Sequence, residues 1–217
     1  MIIAIDGPSG SGKSTIAKLL AKKLGISYLD TGAMYRGIGY YVLSKNIDPS
    51  DEAGVLSILD GIAMNVWEEN GVQQVSVNGE NVTPFIRENH ISMAASTVSK
   101  IPAVRIKLVE LQRRIAAKTD CVLDGRDIGS YVLPNADHKF YMTADSGVRA
   151  IRRQAELELK GEHHTVEEIK EDIEKRDYQD KNREFAPLVI CDDAMVIDTS
   201  HLTIDEVLSV VLNKICK

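Results

Sequence analysis

The sequence predicts an α/β fold: a parallel sheet flanked by helices, with a small antiparallel β insertion and a charged helical lid. Three observations carry this reading. Short apolar runs recur with amphipathic stretches between them, as doubly buried strands and crossover helices require. Residues 64–83 break that rhythm with period-two alternation around Asn78-Gly79. Residues 145–183 are densely charged at helical spacing and lie between two of the apolar runs.

The first strand is Ile2-Ile3-Ala4-Ile5, which runs into Asp6-Gly7-Pro8. A helix is expected from Lys13 to Leu24, with Ile16, Leu19, Leu20 and Leu24 on its apolar face and Gly25 ending it. Residues 27–30 read as a short extended piece and 33–43 as a second helix. Strand texture follows at 64–67, 72–77 and 80–82, with a hairpin turn at Asn78-Gly79 and Trp67 expected in the core. Pro102 opens a helix whose stripe is Val104, Leu108, Leu111 and Ile115. Cys121-Val122-Leu123-Asp124 repeats the first strand's pattern of an apolar run closed by a carboxylate. Further strands are expected at 138–142 and 195–197. The charged stretch reads as two helices broken at Gly161, the second opened by a capping box from Thr165 to Glu168. The last helix has another capping box, Thr203 to Glu206, and a stripe of Ile204, Val207, Leu208, Val211, Leu212 and Ile215.

Composition narrows the function. With 217 residues, 44% hydrophobic and 27% charged, the chain can bury a sizeable core, as one domain with appended lobes. A net charge of -6 argues against a general nucleic-acid binder, so any polyanion must meet a local cluster of Arg and Lys. No apolar run approaches the ~20 residues of a membrane helix. The first residues lack the basic start and cleavage site of a signal peptide, so a cytoplasmic location is expected. Cys121, Cys191 and Cys216 are odd in number and form no CxxC pair; reduced, buried thiols are expected. His163-His164 at a turn is expected to face solvent rather than a metal.

Gly7-Pro8-Ser9-Gly10-Ser11-Gly12-Lys13-Ser14 matches G-x-x-x-x-G-K-[ST] in full, and Thr15 follows inside the helix. Glycines let successive backbone N–H groups curl around a phosphate, and the helix adds its positive end. Lys13 can reach the β- and γ-phosphates of ATP, and the Ser14 hydroxyl can ligate Mg²⁺. Asp124, closing its apolar run, is the second candidate Mg²⁺ ligand.

Three classes of such proteins compete. A regulatory GTPase needs an Asn-Lys-x-Asp guanine reader, and Asn213-Lys214 lacks the Asp. A motor or helicase usually needs more chain. A small-molecule kinase needs arginines that clamp a second phosphate, and these abound. Arg149, Arg152 and Arg153 share a helix face, Arg176 and Arg183 flank 177–182, Arg36 follows 30–35, and Arg126 sits in Asp124-Gly125-Arg126-Asp127. Pairs such as Arg152–Glu156 and Glu171–Lys175 account for much of the remaining lid charge.

At these residues the chain resembles a known family. The runs GPSGSGKS at 7–14, LDTGAMYR at 29–36, DGRDIG at 124–129 and RDYQDKNREFAPL at 176–188 are similar to those of bacterial cytidylate kinases. The resemblance runs essentially end to end and includes the insertion at about 62–88. It implies one P-loop kinase domain of the nucleoside monophosphate kinase type. Its acceptor region would span about 31–104 and its lid about 145–185. It further implies reversible phosphoryl transfer from MgATP to CMP or dCMP; a monomer is expected. Ser96, Arg105 and Asp127 would read cytosine, and Arg176 with Asp180 the ribose. Arg36, Arg126 and Arg183 would hold the CMP phosphate, beside Thr31, which stands where the family pattern has Ser. Arg149 and Arg153 would attend the transfer with Lys13. Ser14 stands at a position that is Gly in some relatives. The ordinary alternative for Asp127 is a pair with Arg126 or a helix cap.

Overall fold

A computed structural model describes residues 1–159 and 161–216. In chain order the elements are β1 (Ile2–Asp6), α1 (Lys13–Leu24), β2 (Ser27–Asp30), α2 (Thr31–Ser44), α3 (Glu52–Leu59), β3 (Met64–Glu69), β4 (Val72–Val77), β5 (Glu80–Asn81), α4 (Asn89–Val98) and α5 (Pro102–Ala116). Then come β6 (Cys121–Gly125), a π-helical turn (Ile128–Val132), β7 (His138–Thr143), α6 (Ser146–Glu158), α7 (Val166–Asn182), β8 (Met195–Asp198) and α8 (Ile204–Ile215). The chain forms two compact units, residues 1–28 with 119–217, and residues 29–118.

The first unit is built on a five-stranded sheet in the order β2-β6-β1-β7-β8, and β1 pairs in parallel with both β6 and β7. Central strands of a parallel sheet bury both faces, which is why β1 and β6 read as unbroken apolar runs. Ile3, Ile5, Val122, Phe140 and Met142 of the sheet pack with Ile16, Ala17 and Leu20 of α1 and Val207 and Val211 of α8. Each of these side chains larger than alanine stabilises the fold by about 1.5–3 kcal/mol. Leu19, expected on the buried stripe of α1, is 37% exposed; Ala17 and Ala21 take the inner face instead. On α8, likewise, Ile204 is exposed.

The charged stretch forms α6 and α7 around a small core of Ala150, Leu157, Ile169 and Ile173. Gly161, at φ +79°, makes the break between them, and Thr165 and Glu168 complete the capping box. The expected pair Arg152–Glu156 is replaced. Arg153 Nη1 meets Glu156 at 3.1 Å, while Arg152 donates to the carbonyl and hydroxyl of Thr199. On α7 the i,i+4 contact is Lys170–Glu174.

In the second unit Asp30 caps α2 through Ala33 N at 2.8 Å. The insertion is a three-stranded antiparallel sheet, β3-β4-β5, turning at Asn78 and Gly79, both with positive φ. Trp67, expected in the core, is 40% exposed on β3. On α5 the buried face is Val104, Arg105, Leu108, Val109, Gln112 and Ala116, so Leu111 and Ile115 are only half-buried. Of the thiols, Cys121 is buried, Cys191 half-buried and Cys216 exposed, and all are free. No helix among the described residues is long and apolar enough to cross a membrane.

Candidate active site

The phosphate loop is fixed by β1 on one side and α1 on the other. A Cβ on Gly7, at φ +144°, would stand 1.9 Å from the Met142 carbonyl oxygen, so only glycine lets the loop leave the sheet here. Lys13 is buried, its Nζ donating to the Pro8 carbonyl at 2.6 Å. Burial, followed by the charge of Arg126, holds its ammonium well below the usual lysine pKa. Asp124 lies close enough to push the other way. An anionic ligand beside Lys13 acts with Asp124, because an opposite charge favours the ammonium.

Ser14 and Asp124 lie together. Ser14 Oγ donates to Asp124 Oδ2 at 2.7 Å, and Tyr28 Oη donates to Oδ1 at 2.7 Å. A hydroxyl and a carboxylate at the mouth of a phosphate loop are hard oxygen donors, the kind Mg²⁺ takes alongside phosphate and water. The residues therefore fit the ion. Nothing in the sequence around Tyr28 marked it as a partner of Asp124.

A second cluster stands at the ends of β6 and α7. Arg126 Nε meets Asp180 Oδ2 at 2.8 Å, Arg183 Nη1 meets Asp180 Oδ1 at 3.6 Å, and Arg183 Nη2 lies 3.5 Å from Asp127 Oδ1. Burial works against the ionised Asp180, yet Arg126, Arg176 and Arg183 hold its carboxyl below the ordinary range. Burial also opposes the charge of Arg126, and Asp180, with Asp177 and Asp124, more than compensates. The charges of Arg126 and Arg176 are both felt at Lys13, so this cluster and the phosphate loop form one electrostatic site. Asp127 is 4% exposed and its side chain makes no cap bond.

Asp6 was not foreseen as part of the site, although its place at the end of an apolar run mirrors that of Asp124. Its Oδ1 and Oδ2 accept the backbone N–H groups of Ile128 and Gly129 at 2.8 and 2.7 Å. Burial raises its pKa to about 6 in spite of these bonds.

Arg149 and Arg153 of α6 differ. Arg149 is 5% exposed and donates through Nε to Ala144 O and through Nη1 to Ser9 O of the phosphate loop; its Nη2 pairs with Asp177 at 2.7 Å. Arg153 points along the outer face of α6 toward Glu156. His163 and His164 are exposed, and no cluster of three or more His, Cys, Asp or Glu among the described residues could hold a metal ion.

In the second unit Arg36 Nη2 pairs with Asp30 Oδ2 at 3.0 Å, and Arg87, not foreseen, reaches the same oxygen at 3.2 Å. The Gln73 side chain of β4 grips the Asp30 backbone twice, accepting from its N–H at 2.7 Å and donating to its carbonyl at 3.1 Å. Thr31 is buried in the first turn of α2. Arg105, 1% exposed, lies over the Tyr35 ring at 5.4 Å and donates to Ser99 O. Ser96 is half-buried on α4.

Comparison with known proteins agrees with this geometry. A solved gluconokinase from Sinorhizobium meliloti is 13% identical, with a TM-score of 0.51 over 99% of this chain and 90% of that one. An uncharacterized protein from Eubacterium ventriosum scores 0.54 at 15% identity, over 100% and 99%. These share the fold alone. A cytidylate kinase of Caldicellulosiruptor saccharolyticus is 50% identical over 97% of this chain and 93% of its own. One from Clostridioides difficile is 47% identical over 99% and 98%. The family model for cytidylate kinase matches residues 3–217. With a phosphate loop, an arginine–aspartate cluster beside it and relatives matched along nearly the whole chain, the protein belongs to the cytidylate kinase family.

Proposed function

We propose that the chain transfers the γ-phosphoryl group of ATP to CMP or dCMP, giving ADP and CDP or dCDP. The carrying observation is the cluster of Arg126, Asp127, Asp180 and Arg183, from which the charge of Arg126 reaches the buried Lys13 of the phosphate loop. A second phosphate held by arginines next to a triphosphate loop is what phosphoryl transfer between nucleotides needs.

In this reading the backbone of residues 7–15 cradles the donor phosphates and Lys13 exchanges the Pro8 carbonyl for phosphate oxygens. Ser14 and Asp124 hold Mg²⁺, which supplies charge neutralisation on the phosphates when bound. The acceptor phosphate already carries a nucleophilic oxygen. It attacks the γ-phosphorus, the bond to the β–γ bridging oxygen breaks, and that electron pair leaves with ADP. No general base is required, so the chain's work is alignment and neutralisation by Lys13, Arg126, Arg149, Arg153 and Arg183. Asp127 accepts from the exocyclic amine of cytosine, and Arg176 and Asp180 hold the ribose. In the second unit we assign Thr31, Arg36, Ser96 and Arg105 to acceptor recognition. The segment 145–185 closes over the phosphates and excludes water, which would otherwise accept the phosphoryl group.

An ADP-release assay across CMP, dCMP, UMP, AMP and GMP tests the reading. CMP and dCMP are expected to exceed UMP by about tenfold or more in kcat/KM, the value of a hydrogen bond to a charged acceptor. Equal or faster turnover of AMP or GMP overturns it.

A further inference from the structure

The π-helical turn at Ile128–Val132 is capped by the wrong aspartate. Asp127 occupies its N-cap position, where an aspartate ordinarily folds its own carboxylate onto the N–H of the second or third residue of the turn. Its side chain makes no such bond. The carboxylate that does so comes from Asp6, 122 and 123 residues away in sequence, with one oxygen on Ile128 N and the other on Gly129 N. Both aspartates are buried, at 6% and 4% exposure. Asp6 is paired in register with Gly125 on β6 and immediately precedes Gly7 of the phosphate loop. Relieved of capping, Asp127 turns toward Arg183, its Oδ1 3.5 Å from Nη2.

We propose that Asp6 is a positioning residue for base specificity: it caps the 128–132 turn in place of Asp127 and so keeps the Asp127 carboxylate available to the acceptor base. This rests on the reading of Asp127 as the base-facing acceptor. An ionised carboxylate can accept both N–H groups at once, whereas the amide of asparagine has only one accepting atom. In Asp6→Asn one N–H loses its partner, and Asp127, at the N-cap position, is the residue whose carboxylate would take over the cap. Its own role is then lost.

The test is the ratio of kcat/KM for CMP over UMP in wild type, Asp6→Asn, Asp127→Asn and the double variant. Asp6→Asn is expected to narrow the ratio by about tenfold. Because both changes act through one carboxylate, the double variant should match Asp127→Asn within about twofold. If Asp127→Asn leaves the ratio unchanged, the base-reading role itself is wrong and the inference falls with it. If Asp127→Asn narrows the ratio while Asp6→Asn weakens CMP and UMP alike, only the positioning role is overturned. Hydrogen exchange keeps the cap testable should Asp6→Asn fail to fold. In folded Asp127→Asn the Ile128 and Gly129 amides should exchange at the wild-type rate, and a rise of about tenfold would give the cap to Asp127 and overturn the proposal.

Discussion

The Ser14 hydroxyl donates to Oδ2 of Asp124 across 2.7 Å, joining the first turn of α1 to the end of β6 over 110 residues of chain. The bond exists because β1 and β6 are paired neighbours, which puts the carboxylate that ends β6 beside the loop that leaves β1. Tyr28 holds the other oxygen at the same distance, so the carboxylate is fixed from two sides.

Asp124→Asn is therefore expected to weaken the metal more than the nucleotide. The metal concentration giving half-maximal activity should rise by about ten- to a hundredfold, the range typical for loss of a supporting or ligating group. Mn²⁺ titration followed by electron paramagnetic resonance, with ATP present, checks binding without relying on turnover. Unchanged Mn²⁺ affinity would remove Asp124 from the metal site.

Lys13 combines chemical need with structural cost. Its ammonium is buried, and burial holds its pKa down. Lys13→Met should lower kcat by about a hundredfold or more, because a preorganised charge facing the transferring group is lost. It should leave Tm equal or higher, since a buried charge is exchanged for an apolar chain of similar length. Thermal melts beside steady-state kinetics separate the two effects, and a large fall in Tm would make Lys13 a structural residue.

Much of this arrangement was legible in the sequence because it is local. The phosphate loop needs only a buried strand, glycines and a helix start in succession, and all three are contiguous at residues 2–24. Asp124 was legible because a carboxylate closing an apolar run stands at a strand end. Partners set by tertiary packing were not. Tyr28 gives no signal until β2 takes its place in the sheet order beside β6. The buried face of α5 carries Arg105 and Gln112, which a hydrophobic stripe cannot anticipate. Arg152 has Glu156 one helical turn away, but the backbone and hydroxyl of Thr199 at the end of β8 claim it. Trp67 has the composition of a core residue, yet β3 presents it at 40% exposure.

Stability should depend on pH in two opposed ways. Asp6 has its folded pKa raised to about 6 from the ordinary 3.8. The stability it contributes is full below the unfolded pKa and is lost as pH rises through about 6, on the order of 3 kcal/mol. Asp180 has its folded pKa lowered. Its contribution is present above the unfolded pKa and is lost as pH falls through the folded one. Chemical denaturation between pH 4 and 7 should therefore show a component declining with pH in wild type and absent in Asp6→Asn. The same decline in both proteins would assign it to another group.

Arg149 and Arg153 should part company on mutation. Arg149 spans from the Ser9 carbonyl of the phosphate loop to Asp177 of α7, and Arg149 and Asp177 are both buried. Removing it leaves Asp177 without its charge partner, a loss that typically costs about 3–5 kcal/mol. Arg149→Ala should thus lower Tm as well as kcat. Arg153 pairs with Glu156 at a half-open surface, where an ion pair contributes about 0–1 kcal/mol, so Arg153→Ala should leave Tm almost unchanged. If Arg153 leaves Glu156 for the transferring phosphoryl group when the lid closes, its contact exists only in the transition state. Then kcat should fall by about tenfold or more while KM for CMP stays within about twofold. Equal loss of CMP affinity with normal kcat would move Arg153 to ground-state binding, and no change in either would leave it a solvated member of α6.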